Sequence, residues 1–138
     1  MPYWLVKTEP STWSWDDQKR VKVEPWDGVR NHQAQGNLKA MKKGDLCFFY
    51  HSVQEKRIVG IVQVVREFYP DPKEPRFGQV DVAYQANMVQ PVTLQQIKNH
   101  PELQNIPLVR QSRLSVMPLD KASWNLICCE MGQTKILI

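Results

Sequence analysis

IVGIVQVVREF, residues 58–68, is the longest β-prone run in the chain. β-Branched residues dominate it, and its first half is apolar on both faces, as a strand covered on both sides must be. Gly60 within it marks a bulge or a place where another group approaches the backbone closely. Two further strands flank it. In Leu46–His51, Leu46, Phe48 and Tyr50 share one face while Cys47, Phe49 and His51 share the other. In Gln79–Tyr84, Val80, Val82 and Tyr84 alternate with Asp81 and Ala83, the pattern of a half-buried strand. The proline-rich segment Tyr69–Pro75 reads as the loop between the last two.

Working outward, Tyr3–Lys7 reads as a short strand ending at Thr8-Glu9-Pro10. Ser14 can cap a helix with Asp16 and Asp17 in its first turn and Lys19 and Arg20 in its last, the charge order that suits the helix dipole. Asn31 can cap a second helix carrying Ala34, Leu38 and Met41 on one face, stopped by Lys43-Gly44-Asp45. Thr93 and Gln96 form a capping box that opens a helix ending before Pro101. Ser112–Met117 reads as a strand. Asp120 caps a last helix, with Leu119 and Trp124 as its hydrophobic staple and Gly132 as its stop. Strands in the middle and short helices at the ends predict one α+β domain, residues 1–138, around a mixed, strongly curved sheet or small barrel.

At 138 residues, folding buries roughly 70% of the unfolded chain's surface, enough for a core without disulfides or metal. Apolar residues make up 42% and charged residues 23%, which fits a globular chain and not a disordered one. No apolar run approaches the roughly 18 residues of a membrane span, and MPYWLVKTEP lacks the basic and apolar regions of a secretion signal. The three cysteines, Cys47, Cys128 and Cys129, are an odd set with two adjacent, which points to reduced thiols and a cytoplasmic location. A net charge of +4 favours a polyanionic partner.

Catalytic and metal signatures are missing from the sequence. There is no Gly-rich phosphate loop and no G-x-S-x-G. His32, His51 and His100 lie far apart, and Cys47 with His51 makes only half a metal site. No catalytic centre, metal or cofactor is therefore expected. The helix dipole accounts for Asp16-Asp17, and core packing accounts for Cys128-Cys129.

Four segments stand out. Lys7-Thr8-Glu9-Pro10 ends a strand in three polar groups. Trp26–Asn31 sets an indole, a tight Asp27-Gly28 turn, Arg30 and Asn31 at the start of a helix. Tyr50-His51-Ser52 ends an apolar strand in hydrogen-bonding side chains. Val109–Arg113 places two arginines and two neutral polar groups before a strand. Strand ends and helix starts are where loops on a rigid scaffold form pockets. An aromatic face with directional donors and acceptors suits a flat heterocycle read on its edges, such as a nucleobase.

YWLVKTEPSTWSWDD, WDGVRNHQAQGNLKAMKKGDLCFFYHS, IVGIVQVVREFYPDP, VDVAYQANMVQPVTLQQIK and PLVRQSRLSVMPL follow one another from Tyr3 to about Trp124, and in that order they resemble an EVE domain of the stand-alone, bacterial type. The resemblance implies a PUA-like fold: a small curved β-barrel of about five to six strands with short helices over its openings. It also implies a nucleic-acid partner, DNA or RNA carrying a modified base. By that likeness Trp26 is a stacking wall, with Trp13, Trp15 or Tyr50 as further walls. Lys7, Thr8, Glu9, Asn31, Tyr50, His51 and Ser52 then lie at the base, and Arg30, Gln111, Ser112 and Arg113 at the rim or on phosphate. Two other readings compete. One is an amidohydrolase of the related ASCH branch acting on modified nucleosides, for which Lys7, Thr8 and Glu9 have suitable chemistry. The other is a protein-interaction module.

Overall fold

The structure is a computed structural model and describes residues 3–135. Six strands form one sheet: β1 (Tyr3–Thr8), β2 (Val23–Trp26), β3 (Leu46–His51), β4 (Arg57–Pro70), β5 (Gly78–Thr93) and β6 (Val116–Leu119). Their order across the sheet is β2-β5-β4-β3-β1-β6. β1 and β3 run parallel and every other pair is antiparallel, so the sheet is mixed, as expected. It is open, however. β2 and β6, each four residues long, are its edges and do not pair with each other, so the expected barrel is left unclosed. Curvature comes instead from register shifts, one between β3 and β4 and four along the long β4–β5 pair, because each bulge bends and twists its strand.

Local chemistry sets the helices. Ser14 caps α1 (Trp15–Val21) in a reciprocal capping box with Asp17, and Asn31 accepts the Ala34 N–H at the start of α2 (His32–Ala40). Thr93 and Gln96 box the start of α3 (Leu94–Lys98), and Asp120 caps α5 (Lys121–Asn125). Between these last two lie a 3-10 turn at Pro101–Leu103 and the single turn α4 (Pro107–Arg110), and a π-helical turn, Leu126–Met131, extends α5. No helix among the described residues is long and apolar enough to cross a membrane. Cys47, Cys128 and Cys129 are all free.

The core centres on β3, every residue of which is buried. On one side Phe48 stacks on Trp124 at 3.8 Å, and Trp124 stacks in turn on Tyr3 at 4.7 Å. On the other, Phe49 meets Trp15 at 4.8 Å and the edge of Trp26 at 5.5 Å. The Trp4 indole donates to the buried Asp45 carboxylate, which also accepts the Lys42 N–H and so ties the α2–β3 turn to the core.

The structure departs from the sequence reading along several segments: β4 continues through Tyr69 and Pro70, expected to lie in a loop, and the short turns at Pro101–Leu103 and Pro107–Arg110 are additional. β2 is an additional strand, β5 runs nine residues past Tyr84, and the last strand lies at Val116–Leu119 instead of Ser112–Met117.

Gly60 plays the part its position predicts. A Cβ there would fall 2.0 Å from the Trp15 ring, and the β4–β5 register shifts beside it. The indole of Trp15 fills the space a side chain would occupy. Gly60→Ala is therefore expected to lower stability by about 1–3 kcal/mol, the usual cost of overpacking, read as an earlier urea midpoint. An unchanged midpoint would show that the indole can swing aside freely.

Candidate nucleic-acid interface

The end of β1, the loop before α1, and β2 with the turn after it enclose an open cleft of about 440 Å³. Two indoles face it, Trp13 and Trp26. Trp26 closes β2, paired with Val80 of β5, and its ring edge rests on Phe49. Only 7% of Trp26 is exposed, so most of the indole is anchored in the core and a limited part meets the cleft. Trp13 is more open. Its Nε1–H donates to Oε1 of Gln18, a fully buried side chain whose amide Nε2 donates to the Lys22 carbonyl. A second buried glutamine, Gln35, fixes the opposite wall: its amide donates to the carbonyls of Val29 and Gly78, and its Oε1 accepts the Gly78 N–H. Gly28 turns the chain between these walls at φ +76°, a conformation that glycine adopts without steric cost.

Lys7, Thr8 and Glu9 all line the cleft although they are consecutive, because β1 ends at Thr8 and the chain turns with Glu9 O accepting from Thr12 N and Trp13 N. Lys7 Nζ donates to the Ser112 carbonyl, and Thr8 Oγ1 donates to the Trp13 carbonyl. Each is bound to backbone and not to the other. Partial burial lowers the Lys7 ammonium pKa from its ordinary value. Glu24 and Asp27 also line the cleft. The Glu24 carboxyl pKa is raised, first by burial and then by the nearby charges of Asp27 and Asp81.

Arg30 sits at the cleft mouth, its guanidinium over the Phe77 ring at 4.5 Å. Asn31, Gln111, Ser112 and Arg113 lie together in an adjoining cleft. Tyr50, His51 and Ser52, expected near the base, line neither cleft. Tyr50 is 2% exposed within β3. His51 is buried: its Nε2 accepts the Trp15 backbone N–H, and its Nδ1 donates to Glu55. The Ser52 N–H donates to the Thr8 carbonyl. Tyr50 and His51 pair with Lys7 and Thr8 of β1, and His51 also bonds the first residue of α1, so these residues brace elements that carry the cleft. Trp15, considered as a further wall, is wedged in the core over Gly60. Sequence reasoning passes over Glu24, Gln18 and Gln35: Gln18 and Gln35 each join near partners, Trp13 and Lys22 or Val29, to a distant strand at Val82 or Gly78, and only the fold brings those together. Among the described residues no group of three His, Cys, Asp or Glu is placed to hold a metal ion.

The sequence profile of the EVE domain matches residues 2–130. A protein from Rhodopseudomonas palustris, solved by NMR, is 45% identical and superposes with a TM-score of 0.90 over 96% of this chain and 94% of that one. Human THYN1 protein, crystallised in complex with 5-methylcytosine containing DNA, is 28% identical with a TM-score of 0.89, covering 98% of this chain and 99% of that one. Thymocyte nuclear protein 1 of Gallus gallus is 32% identical over 91% of this chain, and the match spans 66% of the longer chicken protein. With the profile matched over nearly its whole length and the fold shared with these relatives, the chain belongs to the EVE domain family.

Proposed function

We propose that this chain reads a modified base in nucleic acid by seating one nucleobase, displaced from its stack, in the cleft between Trp13 and Trp26. The observation that carries the reading is the presence of two indoles on one open cleft. Among the described residues they do not stack on each other, which leaves aromatic surface for a guest. The human relative in complex with 5-methylcytosine containing DNA supports it. DNA is therefore the first ligand to try, with RNA as the competitor in the same titration.

The energetics divide the work. Extracting a base from a duplex costs a few kcal/mol, and stacking on an aromatic returns about 1–3 kcal/mol. Those contributions nearly cancel, so contacts at the base edge decide the net affinity. Carboxylates accept hydrogen bonds from exocyclic amino groups, and Glu9, Glu24 and Asp27 offer three on one cleft. A methyl group filling an apolar niche adds on the order of 1 kcal/mol, which gives a modest preference for the modified base. Thr8, its hydroxyl already bonded to the Trp13 carbonyl, fits a wall better than a nucleophile.

Trp13→Ala is expected to weaken binding of a 5-methylcytosine oligonucleotide by about 5- to 150-fold, the worth of one stacked base, as followed by fluorescence anisotropy. Trp26→Phe, which keeps an aromatic ring on Phe49, should cost less. Equal affinity of parent and Trp13→Ala would remove the stacking role.

Glu24 supplies a second test. A carboxyl whose pKa is raised on folding favours the protonated form in the native state. Its burden on stability is absent at low pH, grows as pH rises from the ordinary carboxyl value through the raised one, and stays in place above. Glu24→Gln should therefore raise the urea midpoint at pH 8 but not at pH 3, while weakening oligonucleotide binding. A stabilised variant that binds as well as the parent would place Glu24 outside the recognition machinery.

A further inference from the structure

The base cleft is a poor place for phosphate. Glu9, Glu24 and Asp27 outnumber Lys7 and Arg30 on its walls. The adjoining cleft, about 310 Å³, has the opposite character, with Arg110 and Arg113 on its lining and no carboxylate. It lies at the lower end of the roughly 300–1,000 Å³ range of ligand pockets.

The two clefts adjoin through neighbouring residues of the chain. Arg30 lines the first and Asn31 the second, while Leu114 lines the second and Ser115 the first. Lys7 bridges them, since it lines the base cleft and its ammonium donates to the carbonyl of Ser112 in the other. Asn31 uses its side-chain oxygen to cap α2, and Arg110 is bound in part to Asn105. The side chains of Gln33, Gln111, Ser112 and Arg113, by contrast, make no hydrogen bond or ion pair among the described residues, and all four are exposed. A concave surface of unpartnered amides, a hydroxyl and a guanidinium is a set of donors and acceptors with no partner inside the fold.

We propose that this second cleft holds the nucleotide next to the bound base, with Arg113 and the remaining guanidinium hydrogens of Arg110 on the linking phosphate and the amides of Gln33 and Gln111 on the edge of the neighbouring base. This rests on the base-cleft reading above. Phosphate contacts set register, and amide contacts to a base edge carry sequence information. The chain then reads more than one nucleotide, and its preference extends to one side of the target only, because the second cleft adjoins the first on a single side.

The test uses the whole chain and short single-stranded oligonucleotides with a central 5-methylcytosine, titrated by calorimetry. The intact ligand is compared with three others: abasic on the 5′ side, abasic on the 3′ side, and abasic at the centre. Loss of one flanking base, on one side only, is expected to weaken binding about tenfold, the worth of a bidentate amide–base pairing. The double variant Gln33→Ala/Gln111→Ala should bind the intact ligand as weakly as the parent binds that abasic one, and should no longer distinguish the two. Removing Arg110 and Arg113 should flatten the salt dependence by about 0.7 for each phosphate left without its guanidinium. The proposal is overturned if the parent binds both flank-abasic ligands as tightly as the intact one, or if the double variant still distinguishes them. Equal binding of the ligand abasic at the centre contradicts the base-cleft reading instead, so the two failures are told apart.

Discussion

The indole of Trp15 occupies the space that Gly60 leaves vacant, and much of the site geometry follows from that packing. Three interactions hold Trp15 there: its Nε1–H donates to Asn87, its backbone N–H to His51, and its ring packs on Phe49. This pins the start of α1 across β3, β4 and β5. Trp13 lies two residues upstream, and Gln18, one turn downstream, takes its indole N–H. The same Phe49 ring supports the edge of Trp26. Trp26 is thus held by the aromatic cluster that anchors α1, and Trp13 by the start of that helix and its bond to Gln18. A site built on such a cluster loses little conformational freedom when a ligand binds, which favours affinity through preorganisation.

Charge is sorted with similar economy. Carboxylates gather around the indoles and guanidiniums around the neighbouring amides, so this modestly basic chain presents an acceptor-rich cleft beside a cationic one. The acidic side carries strain, because Glu24 is kept partly buried near Asp27 and Asp81. Natural chains often tolerate such costs at functional sites, since selection for function and for stability differ.

What the sequence makes legible is local. Ser14, Asn31, Thr93 and Asp120 each cap a helix by bonding an amide three residues on, and that spacing is visible in the chain. The alternation of β3 and the glycine in β4 are equally plain. β2 is hidden because Val23-Glu24-Pro25-Trp26 is short, contains proline, and becomes a strand only by pairing with distant β5. The far half of β5 is hidden because bulges break its alternation. At the site, Trp26, Arg30 and the Lys7–Glu9 strand end can be picked out by residue type and position. Trp13 is there only one of three candidate further walls, and the role of His51 is not legible. Whether a side chain faces a cleft or bonds Trp15 depends on partners 36 or more residues away, and no local pattern records them.

The central claim is that an external base enters between Trp13 and Trp26. The five tryptophans give one indole N–H signal each in a nitrogen–proton NMR spectrum. Trp4 donates to Asp45, Trp15 to Asn87, and Trp124 is stacked between Phe48 and Tyr3. On titration with a 5-methylcytosine oligonucleotide, the Trp13 and Trp26 signals should shift in step with binding while those of Trp4, Trp15 and Trp124 hold still. Saturable binding that leaves Trp13 and Trp26 unmoved would contradict the account.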